Sequence, residues 1–326
     1  MEEIKAVLDV ANAIVITAHK SPDGDAIGSS LALYHYLKNQ GKEVSIIVPD
    51  EFPTFLNWMG GSDEIILYDS NKQIADELVA KADVIFSLDY NNLSRISDLR
   101  TPVERSEAKK IVIDHHQEPQ DFADHYFVDT DSCSTCQLVY EFIESLNGLH
   151  QLDKVSAACI YCGIMTDTGS FRYPSTTSKT HRIIAHLIDI GVENAQIHQA
   201  VYDSSSEERV RLLGYVLTEK MIVLKEFNAA YISLSMEELD RFSFQTGDTE
   251  GVVNYALSIK GIKFAALITE KKEMISLSFR SKDDVYVNTL AKKHFNGGGH
   301  VYAAGGTLYT SLDDAIGQVE TVIRKM

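Results

Sequence analysis

The sequence predicts an α/β protein: an N-terminal, mostly parallel sheet with helices on both faces, then a smaller α+β domain. Three observations predict it. Residues 1–115 alternate short apolar runs with stretches of helical periodicity, the pattern of strand–helix–strand units. Hydrogen-bonding and ionisable residues stand directly after several of those runs. Past residue 220 the texture changes to short strands and short helices.

Taken in order, strands are expected at 13–18, 44–48, 64–67, 84–88 and 110–113. Residues 26–40 carry Ile27, Leu31, Leu33, Tyr34 and Leu37 at helical spacing and end near Gly41. Helices follow at 134–146, 153–166, 178–190 and 193–202. Ser204-Ser205-Ser206 before Glu207-Glu208 suits the N-cap of a helix over 207–219. The later part predicts strands at 221–225, 229–234, 263–269, 274–280 and near 307–309, with helices at 235–242, 252–259 and 286–294. The expected domains are 1–195 (catalytic), 196–219 (helical linker) and 220–326 (substrate-binding), with the active site in the cleft between them.

Composition narrows the function. The net charge is −17 over 326 residues, and the excess lies wholly in residues 1–219; residues 220–326 hold 13 acidic and 13 basic side chains. No basic footprint of the kind that binds long duplex nucleic acid is present. The N-terminus shows no secretory pattern, and no apolar run approaches the roughly 20 residues that span a bilayer. A cytoplasmic protein without a membrane partner is expected. The four cysteines form two Cys-x-x-Cys pairs, Cys133/Cys136 and Cys159/Cys162. They read as small apolar residues of helices in preference to a structural zinc site, because the loop context of zinc knuckles is missing.

The chemistry gathers at four places. His19-Lys20-Ser21-Pro22-Asp23-Gly24-Asp25 follows the first expected strand. Two carboxylates one residue apart in a glycine-containing turn can face two neighbouring ions, and the next helix adds N–H groups that favour anions. A plain capping loop has the same composition. Asp89 ends the apolar run 84–88, where a carboxylate is costly unless paired or metal-bound. Asp114-His115-His116 follows the run 111–113. Asp167 closes an apolar helix, a position unfavourable to an acid on dipole grounds. Mixed Asp and His donors without thiolate favour Mn²⁺, or Mg²⁺, over zinc. Converging carboxylates need cations between them, and a pair of ions suits phosphoryl chemistry. In the later part, Asn296-Gly297-Gly298-Gly299-His300 offers backbone N–H groups to a phosphate, with Arg280 and His300 as further donors.

Together these motifs resemble the Asp-His-His (DHH) phosphoesterase family. The branch is that of the stand-alone bacterial oligoribonucleases (nano-RNases) that also act as pAp phosphatases, whose C-terminal domain carries a Gly-Gly-Gly-His loop. The resemblance covers nearly the whole chain. It implies that His19, Asp23 and Asp89 hold one Mn²⁺, and that Asp25, Asp89, His115 and Asp167 hold the second, with Asp89 bridging. It counts His116, Asp89 and Asp114 as catalytic: His116 near the scissile phosphate, Asp114 in support of a His or a bound water. Arg280, Gly298, Gly299 and His300 match the substrate-binding part; Ser134, next to Thr135, and Arg95 match family positions as further substrate residues. Cys136 is not a feature of the family.

The implied activity is two-metal release of mononucleotides from short RNA oligonucleotides and of phosphate from the nucleoside bisphosphate pAp, leaving AMP. A phosphodiesterase for cyclic or linear dinucleotides (c-di-AMP or pApA) is the nearest alternative. An inorganic pyrophosphatase would want a basic cluster in place of Gly-Gly-Gly-His, and a non-enzymatic nucleotide-binding protein would lack some of the ligands. A homodimer is compatible with the sequence.

Overall fold

Strand residues 13–18 divide between two cores. Ile14, Ile16 and Ala18 enter one apolar cluster, and Val15 enters another. Residues 84–88 split likewise, with Phe86 on one side and Ile85 on the other. A strand buried on both faces is the mark of a parallel sheet covered by helices. The computed structural model describes residues 1–326 as two units, Met1–Ser204 and Ser205–Met326.

The first unit runs α1 (Glu2–Val10), β1 (Ala13–Ala18), α2 (Gly24–Asn39), β2 (Glu43–Val48), β3 (Ile66–Leu67), α3 (Lys72–Lys81), β4 (Val84–Leu88), α4 (Arg100–Arg105), β5 (Lys109–Asp114), β6 (His125–Val128), α5 (Thr135–Ser145), α6 (Lys154–Asp167), α7 (Ser178–Ile190) and α8 (Asn194–Tyr202). The strand order is β3-β2-β1-β4-β5-β6, and every pairing is parallel. The order reverses between β1 and β4, so a crevice opens beyond their carboxyl ends. β6 is an edge strand that the sequence reading passes over, since His125-Tyr126-Phe127-Val128 is short and only half-buried. The strand expected at 64–67 is shorter, Ile66–Leu67, because Glu64 closes a turn of 3₁₀ helix over Ser62–Glu64.

Three helix ends meet at that crevice because their contact residues are small. A Cβ on Gly163 of α6 would come within 2.1 Å of Cys136 Sγ and 2.9 Å of Asp25 Oδ1. Cys136 is fully buried, and burial, followed by the neighbouring Asp25 carboxylate, pushes its thiol well above the ordinary range. It stays a small, uncharged group that lets α2, α5 and α6 converge.

The second unit runs α9 (Glu207–Tyr215), β7 (Met221–Leu224), β8 (Ala229–Leu234), α10 (Met236–Arg241), α11 (Val252–Ser258), β9 (Phe264–Glu270), β10 (Ile275–Ser281), α12 (Val287–His294), β11 (Gly298–His300), β12 (Ala303–Leu308) and α13 (Leu312–Ile323). The division at Ser204 gives α8 to the first unit and α9 to the second, across the 196–219 stretch expected as a linker. The sheet is mixed, in the order β11-β12-β10-β9-β8-β7, with β8–β9 parallel and the other pairs antiparallel. One face packs on α12 and α13, and the other packs partly on α9, α10 and α11. The last strand is longer than the expected 307–309 because it pairs with the glycine run. No helix in either unit is long and apolar enough to cross a membrane.

Candidate metal centre

Each donor is set by the end of a regular element. His19 follows β1, Asp89 follows β4, Asp114 closes β5, and His115 and His116 come next. Asp23 is the N-cap of α2; its Oδ1 accepts from the N–H groups of Asp25 (3.0 Å) and Ala26 (3.1 Å). The capping role and the site thus coincide in one side chain. Asp25 faces the N-terminus of α5: its Oδ2 accepts from Thr135 N (2.6 Å) and its Oδ1 from Cys136 N (2.8 Å). Helix N–H groups fix the orientation of this carboxyl group. Asp89 sits at φ +63°, in the left-handed region that Asp tolerates better than most residues. Backbone strain of this kind collects at functional sites.

The donors converge. His19 Nε2 lies 3.4 Å from Asp89 Oδ2 and 4.0 Å from Asp23 Oδ1. His115 Nε2 lies 3.6 Å from Asp89 Oδ1, 3.6 Å from Asp167 Oδ2 and 3.9 Å from Asp25 Oδ2. Most of these separations are long for hydrogen bonds, but donors about 2.1 Å from a common ion lie about 3–4 Å apart. Asp89 turns Oδ2 toward the His19 side and Oδ1 toward the His115 side. His19, Asp23 and Asp89 form one group of donor atoms within 4.8 Å of one another; Asp25, Asp89 and His115 form a second. Both histidines present Nε2 inward because Nδ1 is taken by a backbone carbonyl, that of Lys20 (2.8 Å) for His19 and that of Ser132 (3.1 Å) for His115. This is the tautomer-fixing arrangement of metal-binding imidazoles. The residues therefore fit a pair of divalent ions.

The electrostatics point the same way. His115 is pushed up to about 9: burial opposes the charge, but Asp167, Asp89 and Asp25 outweigh it. Burial, then Asp89 and Asp167, pushes the Asp25 carboxyl well above its ordinary value. Burial also works against the Asp89 carboxylate, yet its bond to His19 and the charges of His116, His19 and His115 hold it well below the usual range. Without a cation the cluster draws protons to itself; with one, the cation takes their place.

His116 is held differently. Its Nδ1 meets Asp114 Oδ1 at 2.7 Å. Asp114 is fully buried, and its Oδ2 has no hydrogen-bond partner. A buried carboxylate that meets one imidazole nitrogen fixes the orientation of that ring. Thr135 adds a contact that the sequence left undefined: its Oγ1 donates to Asp89 Oδ1 at 2.9 Å. A hydroxyl at the first position of a helix aimed at the sheet was the available signal. Ser134, expected at the substrate, is fully buried and caps α5 by accepting from Gln137 N at 3.0 Å. This bond holds that helix end. Arg95 is half-buried, its carbonyl accepts from Lys20 N, and its charge bears on His19.

In the second unit the glycine run is an edge strand, not a free loop. Gly298 pairs with Gly305, Gly299 with Ala304, and His300 with Ala303. A Cβ on Gly297 would come within 1.9 Å of the Gly305 carbonyl oxygen, and Gly299 has φ +134° with Ala303 O at 2.6 Å. Those two glycines are demanded by close strand approach. A Cβ on Gly298 would meet nothing within 4 Å, so packing does not explain that glycine. Arg280 also pairs with Ala303, which puts Arg280 and His300 on one cross-strand row and one face.

The DHH family, N-terminal domain, matches residues 13–164, and the DHHA1 domain matches residues 227–325. A Thermus thermophilus protein named bifunctional oligoribonuclease and PAP phosphatase NrnA is 31% identical over 329 residues, covering 99% of this chain and 94% of its own length. The chain belongs to the DHH family. The NrnA of Bacillus subtilis, with the same name in full, is 28% identical over 99% of this chain and 98% of its own length. An exopolyphosphatase-related protein of Bacteroides fragilis, known from a crystal structure, is 44% identical, with a TM-score of 0.94 over 99% of this chain and 95% of that one. The DHH residues themselves are Asp114-His115-His116, and the DHHA1 match contains Arg280 and Gly297–His300.

Proposed function

We propose that this protein is a Mn²⁺-dependent phosphohydrolase that degrades short oligoribonucleotides to mononucleotides and converts pAp to AMP. The observation that carries the reading is Asp89, whose two oxygens face two separate donor groups at the switch point of a parallel sheet. The full-length likeness to proteins named for these two activities supports the substrate class.

In this reading His19, Asp23 and Asp89 hold one ion, and Asp25, Asp89, His115 and Asp167 hold the other. Bound divalent ions supply Lewis-acid stabilisation of charge on the attacking and leaving oxygens of the phosphoryl group. His116, fixed by Asp114 through Nδ1, turns its opposite nitrogen to the phosphoryl group, where it stabilises the phosphoryl oxygens or assists the leaving group. Thr135 keeps Asp89 oriented, and Arg95 adds positive charge beside His19. Arg280, Gly298 and His300 form the gripping face for a terminal phosphate or nucleotide: one guanidinium, one imidazole and an unblocked backbone edge.

The test is product analysis on pAp, a 5′-phosphorylated dinucleotide and a pentamer, with metal-stripped protein and with added Mn²⁺. The expected result is AMP from pAp and stepwise mononucleotides from the oligomers, both requiring Mn²⁺. Metal-loaded, folded protein inert toward all three would overturn the assignment.

A further inference from the structure

Directly after Asp167 the chain passes through three successive left-handed residues: Gly169 (φ +55°), Ser170 (φ +61°) and Phe171 (φ +65°). L-residues avoid this region, and a run of three needs strong local support. Thr168, fully buried, provides it. Its carbonyl accepts from Arg172 N (3.0 Å) and Tyr173 N (3.1 Å), and its Oγ1 accepts from Phe171 N (3.0 Å). The Phe171 ring lodges against Tyr161 and His181, with centroids 5.8 Å and 6.0 Å away. The Tyr173 ring seats on Gly169, where a Cβ would come within 2.5 Å of it.

The consequence is a rigidly placed cation. Arg172 Nε donates to the Gly169 carbonyl at 2.7 Å, which anchors the guanidinium to a backbone group two residues past Asp167. The side chain is exposed and forms no ion pair, although residues 1–219 carry the whole −17 excess of acid. An arginine that is oriented by its own backbone and paired with no carboxylate of the chain points to an anion from outside it. Its fork geometry suits phosphate. Beside it, Tyr173 is 37% exposed and offers a flat ring of the kind on which bases stack.

We propose that Arg172 binds a phosphate of the substrate other than the one being cleaved, the 5′-phosphate of a short oligonucleotide, with the neighbouring base against Tyr173. This rests on reading the protein as a phosphohydrolase of short oligonucleotides, and it names what selects among them. The strained turn then has a purpose: it ties the grip on the distal phosphate to Asp167, so that register between the two is fixed.

The experiment compares pApA with ApA, which share the scissile bond and differ only in the 5′-phosphate. Both are assayed with Mn²⁺-loaded wild type, Arg172→Gln and Arg172→Lys. Arg172→Gln lowers kcat/KM on pApA about 10–100-fold, chiefly through KM, as loss of a charge-assisted hydrogen bond should. ApA turnover, Mn²⁺ stoichiometry and Tm stay at wild-type values, and Arg172→Lys recovers part of the loss. Equal losses on pApA and ApA, or no loss on pApA, overturn this inference while leaving the activity in place. Wild type inert on both overturns the functional reading, and this inference with it.

Discussion

The two units treat their functional residues in opposite ways. In the first, Asp25, Asp89, His115 and Asp114 are almost wholly buried, and each is restrained by helix N–H groups, a backbone carbonyl or a neighbouring side chain. In the second, Arg280, Gly298 and His300 are half-exposed on one face of the three strands at the β11 end of the sheet, where the other positions are small: Ser278, Ala303 and Gly305. The difference teaches what each task demands. Holding ions requires donors fixed to fractions of an ångström in a low-dielectric setting. Holding a replaceable substrate requires an open face with few, well-spaced donors.

The largest effect should come from Asp89→Asn, which keeps a residue tolerant of positive φ but removes the bridging charge and leaves one acceptor oxygen in place of two. Hydrolysis should fall more than about 100-fold, beyond the range typical of outer-shell losses, in a variant with unchanged circular dichroism. Retained turnover at full Mn²⁺ occupancy would remove Asp89 from the centre of the site.

Thr135→Val leaves the N–H to Asp25 but deletes the donor to Asp89. Mn²⁺ affinity should weaken about 10–100-fold, read by isothermal titration. An unchanged affinity would mean that Asp89 needs no such support.

For the second unit, His300→Ala should raise KM for pAp about tenfold, as one lost charge-assisted bond would, while Mn²⁺ stoichiometry stays as in wild type. If the variant instead lost metal at constant substrate affinity, the contrast between the two units would be wrongly drawn.

The pH dependence separates the units as well. The folded value of His115 is about 9, against an ordinary 6.5. In the metal-stripped protein its contribution to stability is therefore complete below about pH 6.5 and is lost as pH rises through about 9. Mn²⁺ needs the neutral imidazole, so its affinity should rise across the same window. Melting curves of stripped and Mn²⁺-loaded protein from about pH 6 to about pH 10 should diverge; parallel curves would show that His115 is not exchanging a proton for an ion.

The smallest effect concerns the glycines. Gly297→Ala should lower Tm clearly, because its Cβ meets the Gly305 carbonyl, whereas Gly298→Ala should leave Tm within a degree or so and act on substrate KM alone. Similar Tm losses in both would make Gly298 a packing residue too.

The sequence by itself determined the pieces. Apolar runs dictated β1, β4 and β5 because buried parallel strands must be continuously apolar, and a charged residue at the end of such a run stands out. His19, Asp89 and Asp114-His115-His116 were legible for that reason, and the helical spacing of apolar residues marked α2 after Asp23. What the sequence could not carry was placement across the chain. Asp25 meets Thr135 and Cys136 from 110 and 111 residues away, and only the close packing of α2, α5 and α6 over Gly163 and Cys136 makes that contact. The pairing of the glycine run with β12 likewise depended on backbone approach, which no local pattern records. That pairing turned an expected loop into an edge strand and separated Gly297 and Gly299, held to glycine by close backbone approach, from Gly298, which is not. Local chemistry chose the residue types; the tertiary fold decided which oxygens share an ion.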